Sequence, residues 1–184
     1  PVQCALPVSQ ANLIMWKHTG QKRPTFAEEP GEGQESVWDY PRPPVLVPCD
    51  SLVEVKLGDL LLASTTQALR VLETASPPTY YLPPDTVKMN LLVRTSDGSF
   101  CEWKGQATYW GLATHPKGSP IGWSYEGPSE RFANIDGYLS FYPARTECYV
   151  DGERVRPQPG AFYGGWVTSG IVGPFKGEPG TGHW

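Results

Sequence analysis

Glu73, Glu102 and Lys104 are charged side chains set inside otherwise apolar or aromatic words of this sequence. Burial among such neighbours moves a carboxyl up, or an ammonium down, toward neutrality, which is what acid or base catalysis requires. These three are therefore the candidate catalytic residues, suited to a hydrolase or transferase acting on a small polar substrate. Glu102 and Lys104 are also spaced to share one face of a regular strand, where an ordinary ion pair is the plainer reading.

The second set is aromatic. Thr79-Tyr80-Tyr81-Leu82-Pro83 and Gly160-Ala161-Phe162-Tyr163-Gly164-Gly165-Trp166-Val167-Thr168 place rings beside residues that fix or free the backbone, on segments too short for helices. Tyr80, Tyr81, Trp103, Tyr109 and Trp123 are remote in sequence from Tyr142, Tyr163 and Trp166, and Tyr125 lies between the two groups. If folding converges them, the result is a concave site with ring walls, Lys104 and Glu73 as polar anchors, and Gly164-Gly165 admitting a bound molecule close to the backbone. The plainer reading is that each ring fills the core of a small β domain.

Metal and phosphate chemistry find little support. Cys4, Cys49, Cys101 and Cys148 form no Cys-x-x-Cys pair and read as reduced thiols, while His18, His115 and His183 are scattered among turn residues. Neither a metal nor another cofactor is expected. The nearest carboxylate pair, Asp151-x-Glu153, coincides with Asp151-Gly152, a strong hairpin signal. No phosphate-binding Gly-rich run and no Gly-x-Ser-x-Gly elbow is present.

A net charge of -4 without basic clusters argues against nucleic acid, and no apolar run is long enough for a spanning helix. Pro1 to Gln10 lacks the charged-then-apolar layout of a secretory signal, so the expectation is a soluble, cytoplasmic protein with no membrane partner. The expected partner is a small molecule. A third reading is a structural module that self-associates, as a homodimer, through a sheet face or strand edge.

The elements that must position these residues are short. With 20 Gly, 20 Pro and seven Trp in 184 residues, the chain suits many strands joined by tight turns in one compact domain. The fold class is mainly β, with antiparallel sheets and little helix. Hairpins are expected at Val53–Ala63 about Gly58-Asp59, at Val87–Trp103 about Ser96-Asp97-Gly98, and at Tyr149–Val155 about Asp151-Gly152. Gln106–Leu112 and Ile121–Tyr125 should pair, with Tyr109 and Trp110 pointing oppositely, and Tyr138–Tyr142 should be a strand. Ser64-Thr65-Thr66-Gln67 has capping-box spacing, which leaves Leu69–Glu73 open between helix and strand. Residues 1–35 read as an extension that wraps or frays, 36–168 as the β domain, and 169–184 as a Gly-rich tail that is loosely held.

Six words carry a resemblance: Glu35-Ser36-Val37-Trp38-Asp39-Tyr40-Pro41-Arg42-Pro43-Pro44, Arg70-Val71-Leu72-Glu73-Thr74, Pro78-Thr79-Tyr80-Tyr81-Leu82-Pro83, Cys101-Glu102-Trp103-Lys104-Gly105, Val150-Asp151-Gly152-Glu153 and Phe162-Tyr163-Gly164-Gly165-Trp166. In this order, over about residues 35–168, they resemble the DUF427 family of bacterial, cyanobacterial and fungal proteins. The resemblance implies a domain similar to the Mss4-like or β-tent group, in which sheets meet over a pocket. Other members of that group hold zinc with two Cys-x-x-Cys pairs, which this sequence lacks, so no zinc site carries over. A nucleotidyltransferase-like label attached to the family finds no catalytic residues to transfer here.

Overall fold

The computed structural model describes residues 16–160 and 162–184; the expectation for residues 1–15, including Cys4, lies outside them. The first strands are β1 (Glu35–Ser36), β2 (Val45–Cys49), β3 (Val53–Leu57), β4 (Leu60–Thr65), β5 (Ala68–Glu73), β6 (Ser76–Tyr81) and β7 (Leu92–Cys101). There follow β8 (Gly105–Leu112), β9 (Gly122–Tyr125), β10 (Leu139–Phe141), β11 (Glu147–Val150), β12 (Glu153–Arg154), β13 (Arg156–Pro157), β14 (Trp166–Val167) and β15 (Ile171–Val172). Helical structure among the described residues is confined to short 3-10 turns, the longest at Glu130–Ile135. The chain is mainly β, as the turn-rich composition implies.

Three sheets carry the architecture: β2-β5-β6, β10-β9-β8-β7 and β12-β11-β3-β4. Two hairpins form where local chemistry demands them. Gly58 turns β3 into β4 at a φ of 57°, and Asp151 and Gly152 both take positive φ, 48° and 81°, the backbone a tight hairpin turn requires. β5 is a strand, because Thr66-Gln67 makes a turn, with Thr65 Oγ1 accepting from the Gln67 amide, and the strand pairs on both sides. β2 went unread in the sequence. Its Pro48 obscures the pattern, and an edge strand tolerates it because one side of its backbone needs no partner.

The expected hairpin at Ser96-Asp97-Gly98 does not form. β7 runs straight through it, and residues 95–97 bulge between the Arg94–Trp110 and Gly98–Thr108 pairs, with the Asp97 amide donating to Thr95 Oγ1. The reversal falls instead at Glu102-Trp103-Lys104, closed by Gly105 at a φ of 101°. Glu102 and Lys104 therefore occupy a turn, not one face of a strand.

The tail also departs from expectation. β15 pairs in parallel with β1, Ile171 and Lys176 are buried, and Trp38 Nε1 donates to the Pro174 carbonyl at 3.1 Å. Trp184 stacks on Phe26 with centroids 5.2 Å apart, so the described part of the N-terminal extension and the C-terminal tail close over the same buried indole of Trp38. Apolar burial of Ile171, Phe175 and Trp184 outweighs the conformational freedom of the glycines between them.

Candidate functional site

Strand periodicity builds the site. On β6 the side chains of Thr79 and Tyr81 fall on one face and that of Tyr80 on the other, and register puts Leu69 opposite Tyr81 and Val71 opposite Thr79. On the facing sheet, Cys101, Ser99, Ala107, Tyr109, Trp123 and Tyr125 share one face through the β7-β8 and β8-β9 registers. Between the two sheets lies a cavity of about 390 Å³. Its far end is completed by Tyr142 after β10, by the 162–165 segment, and by Trp16, Gln158 and Lys176 from the flanking chain.

The floor is a linked set of rings. Trp123 and Tyr142 lie 4.5 Å apart, centroid to centroid, and Trp123 meets Tyr81 edge to face at 6.4 Å. Trp123 Nε1 donates to the Tyr81 hydroxyl at 3.2 Å, and the Tyr109 hydroxyl is bonded to Ser99 Oγ at 2.9 Å. Burial pushes the Tyr81, Tyr125 and Tyr142 phenols up, so they stay protonated through the ordinary pH range and offer hydroxyls rather than charge.

The turn Glu102-Trp103-Lys104 hangs over this floor and is pinned from outside. Ser129 Oγ donates to the Trp103 carbonyl at 2.6 Å and the Ser129 amide to the Lys104 carbonyl at 3.3 Å. That anchoring places the Lys104 ammonium over the faces of Tyr125 and Phe132, at 5.6 and 5.4 Å, with only 8% of the residue exposed. Glu73, at the end of β5, lies 3.2 Å from Arg42 Nε, whose side chain is fully buried. The contact is an ion pair without hydrogen-bond alignment, while Arg42 donates to the Thr74 carbonyl at 2.7 Å and lies over the Trp16 ring at 4.2 Å. Lys176 donates to the Trp184 carbonyl at 2.8 Å. Its burial, with Arg42 nearby, holds its ammonium below the usual range.

Of the residues singled out in the sequence, Tyr81, Trp103, Lys104, Tyr109, Trp123, Tyr142 and Tyr163 line the cavity, as do Tyr125, Glu73 and the exposed Glu102. Tyr80 and Trp166 do not. They stack on each other at 4.8 Å in the core, with Trp166 Nε1 donating to the Phe141 carbonyl. Gly164 also has another role than expected: a Cβ there would overlap the Trp123 indole, so the glycine lets backbone pack against a ring of the protein itself. Gly165 likewise leaves room for Gln158, whose Oε1 accepts from the Gly165 amide and whose Nε2 donates to the Lys176 carbonyl.

Arg42, Lys176, Gln158 and Trp16 were missed in the sequence. Arg42, Gln158 and Lys176 sit in Pro-rich or Gly-rich stretches and Trp16 in the N-terminal extension, and the one local hint was the run of apolar residues around Lys176 in a tail otherwise poor in them. Asp151 and Glu153, the nearest carboxylate pair, are committed to the Leu52 amide and to Ser169. Among the described residues no group of three or more His, Cys, Asp or Glu could hold a metal ion, and Cys49, Cys101 and Cys148 are free thiols.

A family profile described as "Domain of unknown function (DUF427)" matches residues 45–152. The chain belongs to the DUF427 family. The matched span takes in both walls of the cavity from β5 to β9, together with the Glu102-Trp103-Lys104 turn. The Gly164-Gly165 segment and the flanking Trp16 and Lys176 fall outside it. No curated protein matches the sequence. No helix among the described residues is long and apolar enough to cross a membrane.

Proposed function

We propose that this DUF427 chain binds a flat organic small molecule in the cavity between the β2-β5-β6 and β10-β9-β8-β7 sheets. The observation that carries the reading is the cavity itself: about 390 Å³, within the range of ligand pockets, walled by Trp103, Tyr109, Trp123 and Tyr142 and supplied with phenol hydroxyls. Aromatic walls suit a planar ligand, and fixed hydroxyls orient it. The ion pair of Glu73 with Arg42 and the anchored turn bearing Lys104 give the walls a defined shape before any ligand arrives.

Acid or base catalysis by Glu73, Glu102 or Lys104 has less behind it. Glu73 is paired with Arg42, Glu102 faces solvent, and none of the three side chains is hydrogen-bonded to a Ser, Thr or His among the described residues.

A thermal-shift screen against flat metabolites and cofactors tests the binding reading. At least one compound should raise the melting temperature by several degrees at concentrations well above its Kd. Trp103→Ala should abolish that shift while the variant still melts cooperatively. No shift from any compound, together with a Trp103→Ala protein that is merely unfolded, would mean the rings are core.

A further inference from the structure

The charges around the cavity are not equally answered. Glu73 has Arg42 at 3.2 Å, and Lys176 has the Trp184 carbonyl at 2.8 Å. Lys104 is as buried as Lys176, with 8% and 7% of the residues exposed, yet no ion pair among the described residues includes it. Its ammonium has the faces of Tyr125 and Phe132; burial works against its charge, but the fields of Tyr81, Cys101 and Glu73 outweigh that and hold it above the usual range. Ring faces attract a cation but replace only part of its lost hydration. Such an ammonium still has room for an acceptor on its cavity side.

A donor stands beside it. Trp Nε1 can only donate, so in the Trp123–Tyr81 hydrogen bond the Tyr81 oxygen is the acceptor, and its own O–H is left to donate elsewhere. An ammonium and a phenol O–H on one cavity wall match the two oxygens of a carboxylate. A phosphate dianion fits worse, because the second lysine of the cavity, Lys176, already donates to the Trp184 carbonyl and the carboxylates of Glu73 and Glu102 line the same space. At the rim, Phe100 and Phe162 both line the cavity while 75% and 70% exposed, so the open side offers two apolar rings beside the exposed Glu102.

Resting on the binding reading above, we infer that the ligand is a planar aromatic monocarboxylate, its carboxylate against Lys104 and Tyr81, its ring between Trp103, Tyr109 and Trp123, and its apolar edge toward Phe100 and Phe162. Lys104 is then a specificity-determining residue.

The test compares isosteres. Calorimetric titration of the full chain with 2-naphthoate and with 2-naphthamide should show the acid binding about ten-fold or more tightly, the weight of one buried charge-assisted contact. Lys104→Met should remove that preference and leave the amide affinity within about two-fold, whereas Lys104→Arg should retain part of it. Lys104→Met should still melt in one cooperative transition, which separates lost recognition from lost folding. Equal affinity for acid and amide in the wild type, or tighter binding of 2-naphthyl phosphate than of the acid, overturns the inference and leaves the cavity reading standing. If the acid fails while a neutral flat compound binds, the inference again falls alone. If no flat compound, charged or neutral, binds, both readings fall.

Discussion

Tyr80 and Tyr81 are neighbours in sequence and opposites in structure. Tyr80 lies 4.8 Å from Trp166 in a core filled by side chains such as Val53, Val55, Leu62 and Phe141. Tyr81 points through the other face of β6, accepts from Trp123 and lines a cavity that also holds a buried ammonium. Both rings are almost wholly buried, 3% and 1% exposed, so burial does not distinguish them. What does is the partner: Tyr80 meets side chains that fill the space, and Tyr81 meets a space the side chains leave.

The sharpest way to break that comparison is to truncate one ring from each region. Trp166→Ala should destabilise the protein by about 3–5 kcal/mol in denaturant titration, since it empties a fully buried site and abandons the Phe141 carbonyl. Trp103→Ala, at a half-buried cavity wall, should lose about 1 kcal/mol or less. Similar losses for the two would mean the cavity is packed as tightly as the core.

Gly164→Ala tests the boundary between the regions. The added methyl must displace the Trp123 indole, so a loss of about 1–3 kcal/mol in melting analysis is expected, together with a weakened ligand-induced shift. A variant that keeps full stability and an unchanged shift would show that the floor yields easily.

A finer probe uses pH on the core side. Burial pushes the Cys148 thiol up to about 12 from an ordinary 9.0, and the Tyr80 phenol up to about 12 from 10.0. A raised acid pKa means the folded state holds its proton longer than the unfolded chain does. The associated stability is therefore complete below about pH 9 and is lost as pH climbs through 9 toward 12. Cys148→Ala should flatten that fall by at most about 1.4 kcal/mol per pH unit, read as the slope of stability against pH. An unchanged slope would place the alkaline loss entirely on the tyrosines.

Much of the cavity was legible residue by residue, but the division between wall and core was not. The aromatic words named rings from both regions, because Gly and Pro beside aromatic residues mark constrained backbone, whichever way a ring faces. Placing Tyr80 and Trp166 with the wall rings ignored the period-two alternation of β6, which sends Tyr80 and Tyr81 to opposite sides. The Glu102-Trp103-Lys104 turn was misread for a related reason: Ser96-Asp97-Gly98 carries a strong turn signal, and a bulge absorbed it, which moved the reversal to a word without one except Gly105. Arg42 was invisible as a site residue and Lys176 was marked only by the apolar residues around it, because a short word does not predict that distant chain segments fold back over Trp38.

Local chemistry determined what could be local. The tight turns at Gly58-Asp59 and Asp151-Gly152, the short strands, the lack of long helices among the described residues and the absence of a Cys-x-x-Cys motif follow from residue type and near spacing, because backbone sterics act over a few residues. Tertiary structure alone decided which tyrosines share a hollow, which lysine is buried beside them, and that the Gly-rich tail is held down. Those outcomes depend on pairings between segments far apart along the chain, where the free energy of burying a face selects the register and no short word can encode it.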